Sequence, residues 1–267
     1  MFVLTQKHAQ YYNDALAGVP RENLVVQPKN AGTAPAILYS LLRLEQINPA
    51  AAVAFFPSDH YFSNEQAFMS DVDLAFAGAH RDPNSIVLLG IEPEGPDEEY
   101  GWIEPEREMS TNATRDFSRV RRFWEKPSRE VARVLMARGC LWNSFVMVGS
   151  VPAFLKTIRR AANELYRRFE NVTSELSTIT EKKMIETVYA GLPDSNFSRE
   201  VLQARPADLV VLPVRSSKWS DLGSPRRVFS VLSDLNCASF VTRESPNSMA
   251  PVDGHYERAR FRSGEVI

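Results

Sequence analysis

The sequence predicts an α/β fold in which helices flank a mostly parallel sheet. Short β-rich apolar runs alternate along the chain with amphipathic helical patterns, as in successive βαβ units. The run Ala52, Val53, Ala54, Phe55, Phe56 has no polar alternation, as expected of a strand covered on both faces. With 267 residues, 44% hydrophobic and 24% charged, the chain has an ordinary globular composition and enough length to bury a sizeable core.

Phe2–Thr5 reads as a strand, and 7–17 as the helix that follows it. A second strand, Leu24–Gln27, leads into a helix over 32–46 with Ile37, Leu38, Leu41, Leu42 and Leu44 on its apolar side. The strand over 52–56 ends at Pro57-Ser58-Asp59-His60, so Asp59 is expected at the carboxyl end of a central strand, where open α/β sheets bind ligands. A helix over 65–79 and strands over 85–90, 119–124 and 144–148 continue the pattern. Between the last two, 129–138 reads as a helix ended by Gly139, which suits a left-handed cap. Residues 151–168 read as one long basic helix, 171–183 carry no clear pattern, and 208–214 is the last clear strand. Residues 1–235 are assigned to the main domain and 236–267 to a polar C-terminal tail.

The formal net charge of -2 gives no bulk attraction for DNA or RNA, and nucleic acid is not expected as a partner. Two cysteines, Cys140 and Cys237, cannot build a disulfide framework or a four-thiolate zinc site, and they point to a reducing compartment. The start, Met1 to Lys7, lacks the basic and apolar regions of a signal peptide, and no apolar run approaches the ~20 residues that span a bilayer. The expectation is a cytoplasmic protein without a membrane partner, with homo-oligomerisation open.

Several short motifs carry chemistry. In Gln27-Pro28-Lys29-Asn30-Ala31-Gly32-Thr33-Ala34-Pro35, a strand ends, a loop follows and a helix begins, presenting N–H groups to carbonyls or anions. The ordinary reading is a Thr cap with Pro in the first turn. Asp59 is well placed to hold Mg²⁺, a hard cation that prefers oxygen, although a Ser-Asp turn is equally common. Glu125-Lys126 at a strand end offers a carboxylate to sugar hydroxyls and a point charge to phosphate, or is simply an exposed ion pair. Asn143 lies beside a strand, and Asp221 sits in the turn Trp219-Ser220-Asp221-Leu222-Gly223. With Asp59, Asp221 would complete a two-carboxylate Mg²⁺ site.

In this order, Pro-x-Asn-x-Gly-Thr-Ala-Pro-Ala, Pro-Ser-Asp-His, Glu-Tyr-Gly-Trp-Ile, Phe-x-Glu-Lys-Pro, Leu-Trp-Asn-Ser and Trp-Ser-Asp-Leu-Gly-Ser closely resemble the mannose-1-phosphate guanylyltransferase family from Phe2 to Leu232. The resemblance implies a Rossmann-like sheet of the nucleotide-diphospho-sugar transferase type. It implies transfer of a guanylyl group from GTP to mannose 1-phosphate or a similar sugar 1-phosphate, giving GDP-sugar and pyrophosphate, with Mg²⁺ as cofactor. Asn30, Gly32 and Thr33 would lie at the nucleotide. Asp59 and Asp221 would hold the metal, Gly101, Glu125 and Asn143 would contact the sugar, and Lys126 its phosphate. Asp59, Lys126 and Asp221 would be the catalytic set.

The pattern departs from the family in places. The family's first strand and Gly-rich phosphate loop are not matched, so the chain is expected to be N-terminally truncated and impaired in activity. Phe145 stands where Gly is common, Trp102 where Tyr is usual, and Pro225 where an aromatic is common. Two alternatives are kept: a catalytically inactive sugar-phosphate-binding or regulatory relative, and a nucleotide-sugar-dependent glycosyltransferase. His60 after Asp59 breaks the Asp-x-Asp pair the latter would use.

Overall fold

The computed structural model describes residues 1–106, 117–176, 178–215 and 217–235. Met1–Asp221 forms one compact unit and a second begins at Leu222. The expected tail 236–267 lies outside the described residues.

The first unit opens with β1 (Phe2–Thr5), a 3-10 turn and the single-turn helix α1 (Ala9–Tyr12). The helix expected over 7–17 shrinks to this turn because α1 buries no residue, and a short helix without tertiary burial is marginal. Next, β2 (Leu24–Gln27) pairs in parallel with β1 as a separate two-stranded sheet. The helix α2 (Thr33–Ile47) is buried from Ala34 to Arg43 apart from the half-buried Ala36, and leads to β3 (Ala52–Phe55). A two-residue strand β4 (Tyr61–Phe62) precedes α3 (Glu65–Arg81), whose Asn64 cap accepts the Ala67 amide at 3.0 Å. Such a cap stabilises by about 1 kcal/mol.

There follow β5 (Ile86–Ile91), β6 (Gly101–Pro105), β7 (Ser118–Glu125), α4 (Arg129–Ala137) and β8 (Leu141–Ser150). Gly139, at φ +71°, supplies the expected left-handed turn after α4. The expected long helix is two, α5 (Val151–Ala161) and α6 (Asn163–Glu170), broken at Ala162 (φ -125°, ψ 57°) with no proline or glycine to announce it. Then come α7 (Glu181–Ala190), a π-helical turn at Ser198–Leu202, β9 (Leu209–Val214) and β10 (Trp219–Ser220). At the end of the patternless stretch, Glu181 ties α7 to α2 by accepting the Tyr39 hydroxyl at 2.5 Å beside Arg43. The second unit contains α8 (Pro225–Asp234), capped by the Ser224 hydroxyl.

The central sheet is six-stranded, in the order β3-β8-β5-β9-β7-β6. It keeps the α/β class and corrects the mostly parallel expectation. Only the β5–β9 neighbours are parallel in it, and β3–β8, β5–β8, β6–β7, β6–β8 and β7–β9 are antiparallel. The cause is that β7 reverses on β6, and α4 then returns the chain to β8 in that same reversed direction. The strands β7 and β8 therefore insert, head to tail, among strands that all run the other way. Both sheet faces are covered: along β5, Ile86 and Leu88 enter one core cluster with Leu38, Leu41 and Phe154, while Val87 and Leu89 enter the other with Val72, Ala75 and Trp102. Cys140 is buried in the second cluster and its thiol is pushed up to about 11 by that burial, which makes it inert at neutral pH. Among the described residues no helix is long and apolar enough to cross a membrane.

Candidate active site

The loop after β2 is shaped by Gly32, at φ +87°. A Cβ there would lie 2.2 Å from the Ser195 carbonyl oxygen, so only glycine fits this approach. The loop is stitched to 194–197 on both sides. Ala34 N–H donates to Ser195 O at 3.0 Å, Ser195 N–H donates to Ala31 O at 3.0 Å, and Phe197 N–H donates to Thr33 Oγ1 at 2.9 Å. This revises the picture of a helix start with open N–H groups: the Ala34 amide is already taken, and the Thr33 oxygen clamps Phe197. Asn30 folds its Oδ1 onto the Gly32 amide at 3.0 Å.

Asp59 and Asp221 flank the small antiparallel ladder of β4 and β10. Ser220 pairs with Tyr61, so the next positions along the ladder are His60 and Asp221. Trp219 Nε1 donates to His60 Nδ1 at 3.2 Å, and His60 Nε2 lies 3.9 Å from Asp59 Oδ1. Burial holds the His60 imidazole below its ordinary range, while the carboxylates of Asp59 and Asp221 oppose that shift. Both acids therefore act on one imidazole. The Asp59 side chain is 63% exposed, and Asp221 accepts a hydrogen bond from Tyr100 Oη at 3.3 Å. Tyr100 in turn stacks at a tilt on Trp142 and Trp219.

Across the sheet, Gly101 and Glu125 are direct cross-strand partners on β6 and β7. A Cβ on Gly101 would meet the Phe123 ring at 2.8 Å and Glu125 Oε2 at 3.1 Å, so the missing side chain lets the carboxylate fold over the strand. Burial raises the Glu125 carboxyl above its ordinary range, against the pull of Lys126 and Arg199. Its amide donates to Gln203 Oε1 at 3.1 Å. Lys126 turns off the strand end with φ +48°. Asn143 is buried on β8, and its Oδ1 accepts the Phe145 amide at 3.2 Å.

These threads converge. Asn30, Gly32, Thr33, Asp59, Gly101, Glu125, Lys126, Asn143 and Asp221, the positions given a site role from the sequence, border one cavity of about 1190 Å³. Sequence reasoning missed Tyr100, whose only signal was its place in Glu-Tyr-Gly-Trp-Ile, and Asn196, whose Nδ2 lies 3.5 Å from Glu125 Oε1. The edges of β1 and β3 also line this space, through Val3 and Phe55 among others.

The cavity is acidic. Asp59, Glu99, Glu125, Asp194 and Asp221 border it, and among its described lining residues Lys126 alone is a lysine or arginine. Among the described residues no three His, Cys, Asp or Glu gather to hold a metal by themselves. An exposed carboxylate at Asp59 and a half-buried one at Asp221 are the oxygen donors here that Mg²⁺ could use, a cation that keeps several waters and completes its shell with phosphate oxygens.

Known proteins share the fold and the family pattern. Residues 1–236 match the family model described as Nucleotidyl transferase. The chain is 28% identical over 212 residues to the xanthan biosynthesis protein XanB of Xanthomonas campestris pv. campestris, covering 78% of this chain and 43% of that one. It is 27% identical over 207 residues to a mannose-1-phosphate guanylyltransferase of Escherichia coli, covering 76% and 42%. The chain thus spans less than half the length of these curated relatives. A solved structure described as a mannose-1-phosphate geranyltransferase from Thermus thermophilus shares the fold, with TM-score 0.71 and 24% identity over 85% of this chain and 64% of that one. One described as a mannose-6-phosphate isomerase from Helicobacter pylori shares it with TM-score 0.64 and 21% identity over 81% and 83%. With its sheet, its cavity and a family match over most of its length, the chain belongs to the nucleotidyl transferase family.

Proposed function

We propose that the cavity joins a nucleoside triphosphate to a sugar 1-phosphate, with GTP and mannose 1-phosphate as the pair and GDP-mannose and pyrophosphate as products. The observation that carries this reading is the convergence of the nucleotide-loop, carboxylate and sugar-contact motifs, far apart in sequence, on one cavity. A phosphate oxygen of the sugar phosphate attacks the α-phosphorus in line. The bond between that phosphorus and the α–β bridging oxygen breaks, and pyrophosphate leaves with the electron pair. Asn30 and Thr33 bound the nucleotide end. Glu125 and Asn143 orient the sugar hydroxyls, Gly101 leaves room for them, and Lys126 faces the sugar's phosphate. Asp59 and Asp221 would hold Mg²⁺, which supplies charge neutralisation for the transferred group. Catalysis at such a site rests on holding both phosphates in line and on neutralising the charge of the transferred group.

The shortage of basic side chains around the cavity favours a second reading, a relative that binds sugar phosphate without turnover. One assay separates the two: GTP- and mannose-1-phosphate-dependent pyrophosphate release, run beside calorimetric titration with mannose 1-phosphate and Mg²⁺. Turnover abolished by Asp59→Ala supports transfer. Binding with no turnover supports the second reading, and neither binding nor turnover removes both.

A further inference from the structure

Among the described residues, three that are not glycine take a left-handed backbone: Lys126 (φ +48°), Phe145 (φ +60°) and Leu222 (φ +50°). Each lies within two positions of a proposed site residue, namely Glu125, Asn143 and Asp221. For a bulky aromatic this conformation is an outlier, kept only where the surroundings over-determine it, and such strain gathers at functional sites.

At Phe145 the surroundings are explicit. The register of β5 against β8 passes from Leu88↔Met147 to Gly90↔Asn143, so β8 advances four positions while β5 advances two. The resulting bulge is pinned by Ser144, fully buried, whose hydroxyl donates to Leu89 O at 2.6 Å and accepts the Val146 amide at 3.1 Å. Bulges re-aim side chains, and this one brings Phe145 to the cavity wall. The ring meets Phe197 edge-on, with centroids 6.3 Å apart and planes at 79°. Phe197 is itself fully buried and is tied through its amide to Thr33. The ring is thus braced from behind and borders the same cavity as Glu125, Asn143 and Asn196.

Resting on the sugar-phosphate reading above, we propose that Phe145 is a specificity-determining residue, an apolar wall on which the carbon face of the hexose lies. The carboxylate and amides at this end take hydroxyl edges. A flat ring beside them supplies the complementary surface for C–H groups and limits the space around the sugar, in the manner of sites that combine aromatic walls with a few oriented polar groups. Backbone strain at this position is consistent with a ring held for its position and not for stability.

The test is calorimetric titration of the 267-residue chain, with Mg²⁺ present, by mannose 1-phosphate and by the bulkier N-acetylglucosamine 1-phosphate, alongside Tm. Phe145→Gly suits the left-handed backbone and should leave the fold intact, yet weaken mannose 1-phosphate about tenfold and shift the ratio of affinities toward the bulkier sugar. Phe145→Tyr, which keeps the ring, should retain both affinity and ratio. If the wild-type chain binds and Phe145→Gly binds both sugars as the wild type does, the inference is overturned while the sugar-phosphate reading stands. Equal losses in the Gly and Tyr variants that track a fall in Tm would make Phe145 a packing residue and also overturn it. Failure of the wild-type chain to bind either sugar phosphate removes the reading and this inference together.

Discussion

Tyr100 and Asp221, 121 residues apart in the chain, meet across 3.3 Å as phenol donor and carboxylate acceptor. The tyrosine ring is held between Trp142 and Trp219, with centroid separations of 4.8 Å and 5.0 Å, so its hydroxyl arrives from a fixed direction. It orients the carboxylate that the proposed reaction asks to hold a cation. Replacing Tyr100 by Phe keeps the packing and deletes only the donor. The expected result is a roughly tenfold weaker dependence on Mg²⁺, read as the metal concentration for half-maximal binding or turnover, with Tm little changed. An unaltered Mg²⁺ dependence would detach Tyr100 from the site.

Glu125 gives a pH-dependent prediction. Burial lifts its carboxyl above the ordinary 4.5. The folded state therefore disfavours the ionised form, a penalty present when pH is above the raised value and absent below 4.5, where the acid is neutral in both states. Glu125→Gln should consequently raise Tm at about pH 7, and the gain should fade as pH descends through the carboxylate range. Sugar-phosphate binding should fall in the same variant. Paired melting curves from about pH 4 to about pH 8 check this, and a gain that grows on acidification would contradict it.

The site residues were legible chiefly through the order of six short motifs along the chain: taken singly, Asn30, Asp59, Glu125 and Asn143 each have an ordinary turn, cap or ion-pair reading, and only their combination singled them out. Leu24–Gln27 ends where expected, and Asp59 follows a strand that the apolar run announces, but that strand, β3, is half-buried at the edge of the sheet and not the central strand covered on both faces that the run implied, because it pairs only with β8. What was hidden depends on pairing. Nothing local in Ser144-Phe145 signals a bulge, because the register shift exists only against β5. The reversal of β7 and β8 is equally invisible, since a helix between strands looks the same whichever way the pair runs. Tyr100 escaped notice because its partner, Asp221, lies 121 residues away in the chain and is met only in the folded structure.

Gly32 is the tightest point of the loop between β2 and α2. At φ +87°, with the Ser195 carbonyl 2.2 Å from the position of an added Cβ and Asp194 Oδ1 at 2.7 Å, alanine can be accepted only if the stitched segments part. Gly32→Ala should destabilise the chain by about 2–4 kcal/mol, combining left-handed strain with the loss of two inter-loop hydrogen bonds. Urea titration measures this directly. A change below about 0.5 kcal/mol would mean the loop is not clamped as described.

The last prediction concerns the two strand edges that face the cavity. Among the described residues β1 pairs only with β2, and β3 only with β8, so each leaves an edge without a strand partner beside the same space. The apolar residues near those edges are open to water: Phe2 is 47% exposed, Val3 39% and Phe56 50%. An apolar edge that offers its N–H and C=O groups is a template for strand addition, and lysine is a common natural guard against it. The 267-residue chain should therefore self-associate as concentration rises. Val3→Lys should suppress this while changing stability by less than about 0.5 kcal/mol, because the position is exposed. Light scattering across a concentration series, for wild type and variant, reads the effect. A wild-type chain that stays monodisperse throughout, or association that Val3→Lys leaves untouched, would show that these edges are not where copies meet.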